Sequence, residues 1–445
     1  MTETIHVAYC LDDGYAEPTC VSMASMLANT KSNVHFHVIY SRLSDNNKAK
    51  LSILSERFSH GNFTFHEFVY DNKGFETGST YLTAETYYRF YLPVILPDLE
   101  RIIYIDGDTV VNGDISKLWN TDLGKHTVGV MVDSMSEEMK ERNKVIGFNK
   151  DDLYFNAGIM LIDLKKFAKY DFIKQISTII PELYEKLKKV SGLWAADQEL
   201  LNYRFNADKS ALFLPIIYNF MDRSYDYFCS IPFRYGCYEL KDWALAYSNP
   251  VIIHYNSSKP FPLNGFKSSY HWRLYYKYKE LTPFYDPLDE RRIAEYNRRE
   301  NITKKEALIP TNIYMQLFWR DVLTNSAEYV KSVIGNRKLV FWGATKHITH
   351  IMAVFASCGL YPDIVVDGLL NNHGKQIFEY AVQPSEILKN KSKKYFVVLA
   401  METKRGRDVV INILNNMDYD ENDFTHAYAE AYERENNLLL SKENV

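Results

Sequence analysis

The stretch Arg101-Ile-Ile-Tyr-Ile-Asp106-Gly107-Asp108 decides the fold prediction, because a run of apolar residues stops abruptly at two carboxylates. The apolar run is typical of a buried strand. Asp106 and Asp108 are two positions apart, so in an extended chain their side chains leave the same face and can share one cation. Carboxylate oxygens suit Mg²⁺ or Mn²⁺, and such an ion bridges the phosphates of a nucleotide diphosphate. The D-x-D pattern alone is weak, because such pairs also occur by chance in acidic turns.

The residues before this stretch predict a parallel sheet. Apolar runs at Ile5 to Cys10, Val34 to Tyr40 and Phe63 to Phe68 alternate with helical patterns from about Pro18 to Asn29 and from Asp45 to Phe58. This alternation is typical of βαβ units. The chain is therefore predicted to be α/β.

Polar side chains recur where later strands end. The apolar run Val128 to Val132 ends at Asp133, and the run that begins at Pro250 ends at His254, five residues before Lys259. In open α/β sheets the ends of the strands form the ligand-binding edge. An imidazole beside two carboxylates favours Mn²⁺, and a lysine suits a diphosphate. The alternative for His254 is a hydrogen-bonded histidine at a strand end.

The segment Asp12-Asp13-Gly14-Tyr15 follows the first strand, where a nucleotide base and ribose lie in a doubly wound sheet. Tyr15 is able to stack on a base. A helix cap explains Asp13 and turn chemistry explains Gly14 equally well, so this segment by itself leaves both interpretations open.

Composition excludes several classes of protein. The 445 residues are 46% hydrophobic and 24% charged, with a formal net charge of -4, which is typical of a globular protein and not of a nucleic-acid binder. The five cysteines are scattered and form no C-x-x-C pair, which argues against a disulfide framework or a zinc cluster. We therefore expect a cytoplasmic protein without a membrane-spanning segment.

The last hundred residues predict a small Rossmann-like module. Strand patterns start at Lys338, Asp363 and Tyr395, and Gly343 with Asp367 resembles part of a dinucleotide-binding fingerprint. The second and third glycines of that fingerprint are missing, which favours a structural or regulatory module. An oxidoreductase centred on this module is the alternative, and it would require NAD(P) binding.

These segments together resemble the retaining glycosyltransferases of family 8, which include lipopolysaccharide galactosyl- and glucosyltransferases and glycogenin. The resemblance covers about residues 5–285. It rests on six segments that agree in order and spacing: Asp12 to Tyr15, Thr86-Tyr-Tyr-Arg89, Arg101 to Asp108, Tyr154-Phe-Asn156-Ala157-Gly158, Asp197-Gln198 and His254-Tyr-x-x-x-Lys259-Pro.

The resemblance implies a GT-A type nucleotide-diphospho-sugar transferase fold, with a Rossmann-like mixed sheet, in a catalytic domain of residues 1–285. A charged linker and helix at 286–335 and the Rossmann-like βαβ module at 336–435 would follow. The stretch Tyr270 to Lys279 is predicted to close the catalytic domain, and the alternative is a segment that rests on the inner face of a membrane.

The resemblance also assigns roles to residues. The implied metal ligands are Asp106, Asp108 and His254, for Mn²⁺ or alternatively Mg²⁺. The implied donor-binding residues are Asp12, Tyr15, Arg89, Asp106, Gly107, Asp108, Asn156, Ala157, Ser257 and Lys259. The implied catalytic residues near the anomeric carbon are Gln198, Asp197 and Asp133. Ser257 stands where many relatives have glycine.

The implied activity is transfer of glucose or galactose from a UDP-sugar to a saccharide or glycoconjugate, with retention, in bacterial surface glycan or lipopolysaccharide assembly. Because the amide of Gln198 is a poor nucleophile, front-face substitution is favoured over double displacement. Asp197 as a transient nucleophile is the alternative mechanism. The alternative function is a regulatory or scaffold protein that binds a nucleotide-sugar without turnover.

Overall fold

The computed structural model describes residues 3–69, 84–133, 140–145, 147–149, 152–187, 189, 196–221, 237–256, 259–261, 271–306, 315–345, 347–389, 392–401 and 404–428. The chain divides into two compact units, the first of Met1–Arg223 with Pro250–Arg291 and the second of Ser224–Asn249 with Arg292–Val445. Residues 224–249, inside the predicted catalytic segment, thus group with the second unit. The predicted domain boundaries stay predictions.

The strands of the described residues follow in chain order. They are β1 (Ile5–Cys10), β2 (Val34–Tyr40), β3 (Gly61–Glu67), β4 (Arg101–Ile105), β5 (Thr109–Val111), β6 (Val128–Val132), β7 (Phe155–Asp163), β8 (Ala211–Phe213), β9 (Phe220–Met221), β10 (Ile252–His254), β11 (Lys338–Trp342), β12 (Ile364–Asp367), β13 (Gln376–Ile377), β14 (Tyr380–Pro384), β15 (Tyr395–Leu399) and β16 (Phe424–His426).

The α-helices of the described residues are α1 (Ala16–Asn29), α2 (Asp45–Arg57), α3 (Leu92–Ile95), α4 (Ser116–Trp119), α5 (Lys140–Val145), α6 (Leu164–Ala168), α7 (Phe172–Leu187), α8 (Ala196–Ala207), α9 (Leu240–Ser248), α10 (Trp272–Lys279), α11 (Pro287–Glu306), α12 (Met315–Val333), α13 (Ile348–Ser357) and α14 (Lys404–Asn415). A 3-10 helix at Ala84–Tyr91 leads into α3.

The first unit is built on a seven-stranded mixed sheet of order β3-β2-β1-β4-β7-β6-β8. The strands β3, β2, β1 and β4 are parallel, whereas β7 runs antiparallel to both β4 and β6. Ile102 to Ile105 of β4 are fully buried, which is why this strand has a continuous apolar sequence. The parallel half therefore directs the chain after β1 and β4 to one edge of the sheet.

A second, three-stranded sheet of order β5-β10-β9 stands at that edge. The strand β10 runs antiparallel to β5, with His254 opposite Thr109, and parallel to β9, with His254 opposite Met221. Because β5 begins just after Asp108, this pairing brings His254 next to the D-x-D pair. The small sheet thus connects two distant parts of the sequence.

The helix α10 closes the first unit. Its aromatic side chains, among them Trp272 and Tyr275, are buried, which favours a closing helix over a segment that rests on a membrane. Lys279 at its end is 1% exposed, and its Nζ lies 2.8 Å from Glu17 Oε1 and 3.1 Å from Asp289 Oδ1. Two carboxylates thus compensate the buried ammonium, which would otherwise carry a large desolvation cost.

The second unit contains a six-stranded sheet of order β13-β14-β12-β11-β15-β16, in which all neighbours except β13 and β14 are parallel. This order confirms the predicted Rossmann-like module. Asp367 at the end of β12 accepts hydrogen bonds from the backbone N of Ala344 at 2.6 Å and of Leu369 at 2.7 Å. Both of its carboxylate oxygens are therefore engaged by the turns.

Among the described residues, no helix has the length and apolar character that crossing a membrane requires. Of the described cysteines, Cys10, Cys20 and Cys237 form no disulfide.

Candidate active site

The structure brings Asp106, Asp108 and His254 together at the edge of the large sheet. His254 Nε2 lies 3.4 Å from Asp108 Oδ1 and 3.9 Å from Asp106 Oδ2. One ligand atom from each residue lies within 4.8 Å of the other two. Two backbone hydrogen bonds hold the group in place, from Asp106 N to Gly158 O at 2.7 Å and from Tyr255 N to Asp108 O at 2.9 Å.

This donor set fits a divalent metal ion. Two carboxylates and one imidazole offer hard oxygen ligands with one nitrogen, a combination that suits Mn²⁺ better than Ca²⁺. His254 is 3% exposed, and its Nδ1 lies 3.1 Å from Asn219 Oδ1, which leaves Nε2 directed toward the carboxylates. The geometry therefore provides three candidate ligands, two from the turn between β4 and β5 and one from β10.

Glycine is required at two positions around the carboxylates. A Cβ at Gly107 would lie 2.3 Å from Thr19 Oγ1, and one at Gly158 would lie 2.3 Å from His254 Cε1 and 2.8 Å from Asp106 Oδ2. Real Cβ atoms do not approach other atoms this closely. Gly107 thus lets the turn between Asp106 and Asp108 pack on α1, and Gly158 leaves room for His254.

Lys259 lies beside the same carboxylates. Its Nζ donates to Asp108 Oδ2 at 2.5 Å and to Tyr15 Oη at 2.7 Å. Burial opposes ionisation of Asp108, but Lys259 and His254 together outweigh burial and hold the pKa of this carboxyl well below its usual range. Burial likewise raises the pKa of the Tyr15 hydroxyl to about 12, so that it stays neutral. Tyr15 and Lys259 therefore meet next to the candidate metal ligands.

Arg89 connects Asp106 of the candidate metal site to the buried carboxylate of Asp197. It is 5% exposed, and it donates from Nη2 to Asp106 Oδ1 at 3.1 Å and from Nη1 to Ala157 O at 2.8 Å. The same Nη1 lies 3.1 Å from Asp197 Oδ2. Burial raises the pKa of Asp197 to about 6, although the charge of Arg89 opposes this shift. The 3-10 helix Ala84–Tyr91 thus positions one guanidinium between two carboxylates.

Asp133, Asn156, Ala157 and Gln198 form one hydrogen-bonded group beyond Arg89. Asn156 Nδ2 donates to Asp133 Oδ2 at 3.1 Å and to Gln198 Oε1 at 3.3 Å. Gln198 Oε1 also accepts from Ala157 N at 2.9 Å, and Gln198 Nε2 donates to Asp133 Oδ2 at 3.3 Å. Both ends of the Gln198 amide are therefore engaged, and its orientation is set by a backbone donor.

Asp12 follows β1 and is not one of the three residues that converge on the candidate metal site. Its Oδ1 accepts from Tyr15 N at 3.1 Å, so Asp12 caps the 3-10 helix Asp13–Tyr15. Asp13 accepts from Ser44 N at 2.8 Å. The capping residue is therefore Asp12 and not Asp13, to which the sequence assigned this role, and the cap fixes Tyr15 near Lys259. Ser257 lies outside the described residues.

The sequence did not single out Asn219. It lies between the 3-10 helix Ile216–Tyr218 and β9, and it is fully buried against His254. Its local sequence, Tyr-Asn-Phe-Met, contains no ligand pattern. Only the pairing of β9 with β10 makes Asn219 a neighbour of the site.

Comparison with known sequences identifies the family. Residues 6–261 match Glycosyl transferase family 8. The chain belongs to this family. The matched segment includes the D-x-D pair, His254 and Lys259. It also includes the hydrogen-bonded group of Asp133, Asn156, Ala157 and Gln198, called the Asn156 group below.

Relatives of known description agree with the assignment. The chain is 31% identical over 186 residues to general stress protein A of Bacillus subtilis, which covers 40% of this chain and 63% of that protein. It is 25% identical over 315 residues to lipopolysaccharide 1,2-glucosyltransferase of Escherichia coli, which covers 67% of this chain and 85% of that protein. The match covers 64% of a Haemophilus influenzae protein named "Putative glycosyltransferase" and 63% of general stress protein A. The chain thus spans less than two thirds of the length of each of these two relatives.

Solved structures show the fold. The galactosyltransferase LgtC, crystallised with donor and acceptor sugar analogues, aligns with 65% of this chain and 100% of its own at a TM-score of 0.54 and 24% identity. The bifunctional glycosyltransferase WbbM aligns with 67% of this chain and 52% of its own at a TM-score of 0.51 and 20% identity. The predicted GT-A fold is confirmed.

Proposed function

We propose that this family 8 protein transfers glucose or galactose from a UDP-sugar to a saccharide or glycoconjugate with retention of anomeric configuration, and that it requires Mn²⁺. The observation that carries the proposal is the convergence of Asp106, Asp108 and His254 within 4.8 Å, with Lys259 on Asp108. An anion-binding lysine beside a divalent-metal site suits a diphosphate better than a neutral ligand.

The nucleotide would lie between the ends of β1 and β4. Tyr15 offers a ring for the uracil, and Asp12 lies where a ribose would bind. Lys259 would leave Asp108 and bind the diphosphate, since its ammonium already lies at the metal ligands. A bound Mn²⁺ would act as a Lewis acid that stabilises the negative charge on the diphosphate leaving group.

The donor sugar would lie over the Asn156 group. Arg89, Asp133 and Asn156 offer charged and amide groups to the sugar hydroxyls, while Gln198 lies beside them with both amide ends engaged. Preorganised dipoles of this kind stabilise a developing oxocarbenium charge without reorganisation.

The chemistry of the side chains favours front-face substitution. The amide of Gln198 cannot act as a nucleophile comparable to a carboxylate, and the Asp197 carboxylate is held at 3.1 Å by Arg89. In the proposed step the bond from C1 to the UDP oxygen breaks, and the acceptor oxygen forms its bond to C1 on the same face. The acceptor's proton passes to the departing UDP oxygen, so no enzyme-bound intermediate is required.

Assembly of a bacterial surface glycan or lipopolysaccharide is the proposed setting. The Escherichia coli relative is named a lipopolysaccharide 1,2-glucosyltransferase, and its match covers 85% of that protein. The proposed catalytic segment is 1–285, and 336–435 is proposed to be structural or regulatory. Since both oxygens of Asp367 bind backbone N–H groups, this carboxylate is poorly placed to hold the ribose of a dinucleotide.

A screen of UDP-sugars with Mn²⁺, with UDP release as the readout, tests the proposal. We expect release of UDP from UDP-glucose or UDP-galactose only when Mn²⁺ and an acceptor saccharide are present. Tight binding of a UDP-sugar without release across a broad acceptor set would instead support the alternative, a binding protein without turnover. NAD(H) binding in a titration would support the oxidoreductase alternative.

Asp108→Asn is expected to lower UDP release at least about 100-fold, because it removes one anionic ligand from a preorganised site. The substitution keeps the size of the side chain, so the chain should still fold, although loss of the ion pair with Lys259 should lower the melting temperature. Steady-state UDP release and thermal unfolding measure the two effects. Asp45→Asn, at an exposed position of α2, is the matched control and should retain activity. Full activity of Asp108→Asn would contradict the proposed function.

A further inference from the structure

A backbone hydrogen-bond donor two side chains away determines which ring nitrogen of His254 carries the proton. Gly158 N donates to Asn156 Oδ1 at 3.0 Å. Because a backbone N–H is always a donor, the atom of Asn156 that faces it must be the amide oxygen. The same oxygen accepts from Asn219 Nδ2 at 2.9 Å. The end of the Asn219 amide that faces this oxygen must therefore be the NH₂ group, so the other end of the amide is the oxygen.

That oxygen determines which nitrogen of His254 carries the proton. Asn219 Oδ1 lies 3.1 Å from His254 Nδ1, and since it can only accept, Nδ1 must donate. In a neutral imidazole the other nitrogen, Nε2, then presents a lone pair. Nε2 is the atom that faces Asp106 and Asp108. One chain of hydrogen bonds thus prepares a metal-ligating nitrogen.

The same chain reaches the sugar end of the site. The Nδ2 of Asn156 donates to Asp133 at 3.1 Å and to Gln198 at 3.3 Å. The side chains of Asn219 and Asn156 are fully and 93% buried, with 0% and 7% exposure, so water cannot readily replace either amide. A change in the Asn219 amide would thus affect His254 on one side and the Asn156 group on the other.

We propose that Asn219 is a positioning residue that fixes the proton of His254 on Nδ1 and couples the metal site to the sugar-binding amides. The proposal rests on the proposed function, because it assigns the prepared Nε2 to a divalent metal. A partner that orients a ligating histidine typically contributes a factor of about 10 to 100 in metal affinity or activity. Asn219 lies 35 residues from His254 in sequence.

Two substitutions separate the two contacts of Asn219. Asn219→Leu removes both the acceptor for His254 and the donor for Asn156. Asn219→Asp keeps the acceptor for His254, but it places an oxygen against Asn156 Oδ1, where a donor is needed. We therefore expect Asn219→Leu to weaken Mn²⁺ binding at least about tenfold, and Asn219→Asp to retain Mn²⁺ affinity while kcat falls at least about tenfold.

The metal affinity is measured by titration of Mn²⁺ into the full-length protein with UDP present, by calorimetry or by the electron paramagnetic resonance of free Mn²⁺. Asn206→Ala is the matched control, because Asn206 is a buried asparagine of α8 that hydrogen-bonds Asn202 at 3.4 Å. It should lower the melting temperature and leave the Mn²⁺ dissociation constant unchanged. A merely structural role would make all three variants behave alike.

The outcomes distinguish this proposal from the proposed function. A wild type that binds Mn²⁺ and UDP but transfers no sugar would contradict the transferase, and the titration would still test Asn219. A folded Asn219→Leu protein with the wild-type Mn²⁺ affinity would overturn the positioning role. If Asn219→Leu does not fold, equal losses of Mn²⁺ affinity and kcat in the isosteric Asn219→Asp would overturn the division between the two contacts.

Discussion

Lys259 binds two residues, Asp108 and Tyr15, that the proposed function assigns to the metal ion and to the nucleotide base. Its ammonium lies 2.5 Å from Asp108, a proposed metal ligand, and 2.7 Å from Tyr15, the proposed base platform. The positive charge at this point therefore neutralises Asp108 in the same way that a metal ion would. Binding of Mn²⁺ alone has to compete with it, whereas a diphosphate gives the lysine a new anionic partner.

Lys259→Met should consequently raise the affinity for Mn²⁺ and lower the rate of UDP release. Mn²⁺ without nucleotide is expected to bind about 3 to 10 times more tightly, because a competing charge beside a carboxylate is removed. UDP release should fall about 100-fold, because the diphosphate loses a preorganised cation. Titration of Mn²⁺ with and without UDP, together with steady-state assays, measures both effects. Lys259→Arg keeps the charge and is the control; unchanged Mn²⁺ affinity in the Met variant would argue against the competition.

At the scale of single residues, the sequence could predict those site residues that belong to local patterns. Asp106 and Asp108 follow an apolar run directly, His254 ends another, and Lys259 comes five residues after His254, so their local positions made them candidates. Asn219 carries no such pattern. Its importance depends on the register of β9 against β10, a long-range pairing that no local sequence encodes.

At the scale of elements, prediction succeeded where a strand is buried on both faces. The predicted runs at Ile5–Cys10, Arg101–Ile105 and Val128–Val132 coincide with β1, β4 and β6, since a strand covered on both sides is apolar throughout. The three-residue strand β5 and the two-residue strand β9 gave no periodic signal of their own. The small sheet that brings His254 to the carboxylates could therefore be inferred only through the family resemblance.

The strand β7 leaves a gap beside two of the proposed metal ligands at Gly158. Gly158→Ala would place a methyl group 2.3 Å from His254 Cε1 and 2.8 Å from Asp106 Oδ2, so both ligands would have to shift. We expect Mn²⁺ affinity to fall about 10- to 100-fold while the fold persists. The measurement is the Mn²⁺ titration, with circular dichroism as a check on folding. Gly113→Ala, whose nearest contact would be an ordinary 3.4 Å, is the control, and wild-type affinity in Gly158→Ala would refute the steric argument.

At the scale of the whole molecule, the two compact units divide the chain in a way that no local sequence pattern encodes. Residues 224–249 group with the second unit, before the chain returns to the first at Pro250. Within the second unit, α9 packs against α13, and Tyr247 Oη lies 3.3 Å from His350 Nδ1. Such contacts join segments about a hundred residues apart, and a linear reading of composition does not reveal them.

Four histidines on one face of β1, β2 and β3 connect the stability of the chain to pH. His37 Nε2 lies 3.0 Å from His6 Nδ1, and His37 Nδ1 lies 3.1 Å from His66 Nε2. His35 stacks on His37 with ring centroids 4.6 Å apart. Burial, and then the neighbouring imidazoles, lower the pKa of His37 to about 3, whereas Glu3 acts in the opposite direction on His6. The neutral form of His37 is therefore strongly preferred in the folded chain.

The direction of the pH effect follows from proton binding in the two states. The ordinary histidine pKa of 6.5 applies to the unfolded chain, so below that pH the unfolded state binds a proton that folded His37 does not accept until about pH 3. Acidification therefore favours unfolding, and His37 alone should cost about 2 kcal/mol between pH 7 and pH 5. Because burial lowers the pKa values of His6, His35 and His66 as well, the other three act in the same direction.

His37→Gln should consequently lose less thermal stability on acidification than the wild type does. The substitution removes the group that unfolding would protonate, so the melting temperatures of variant and wild type should converge or cross as the pH falls from 7 to 5. Thermal unfolding at several pH values in metal-free buffer measures this difference. The same substitution at His126, which hydrogen-bonds Leu123 O at 3.0 Å outside the cluster, serves as the control. If the melting temperatures of His37→Gln and wild type fall equally between pH 7 and pH 5, the histidine cluster does not govern acid stability.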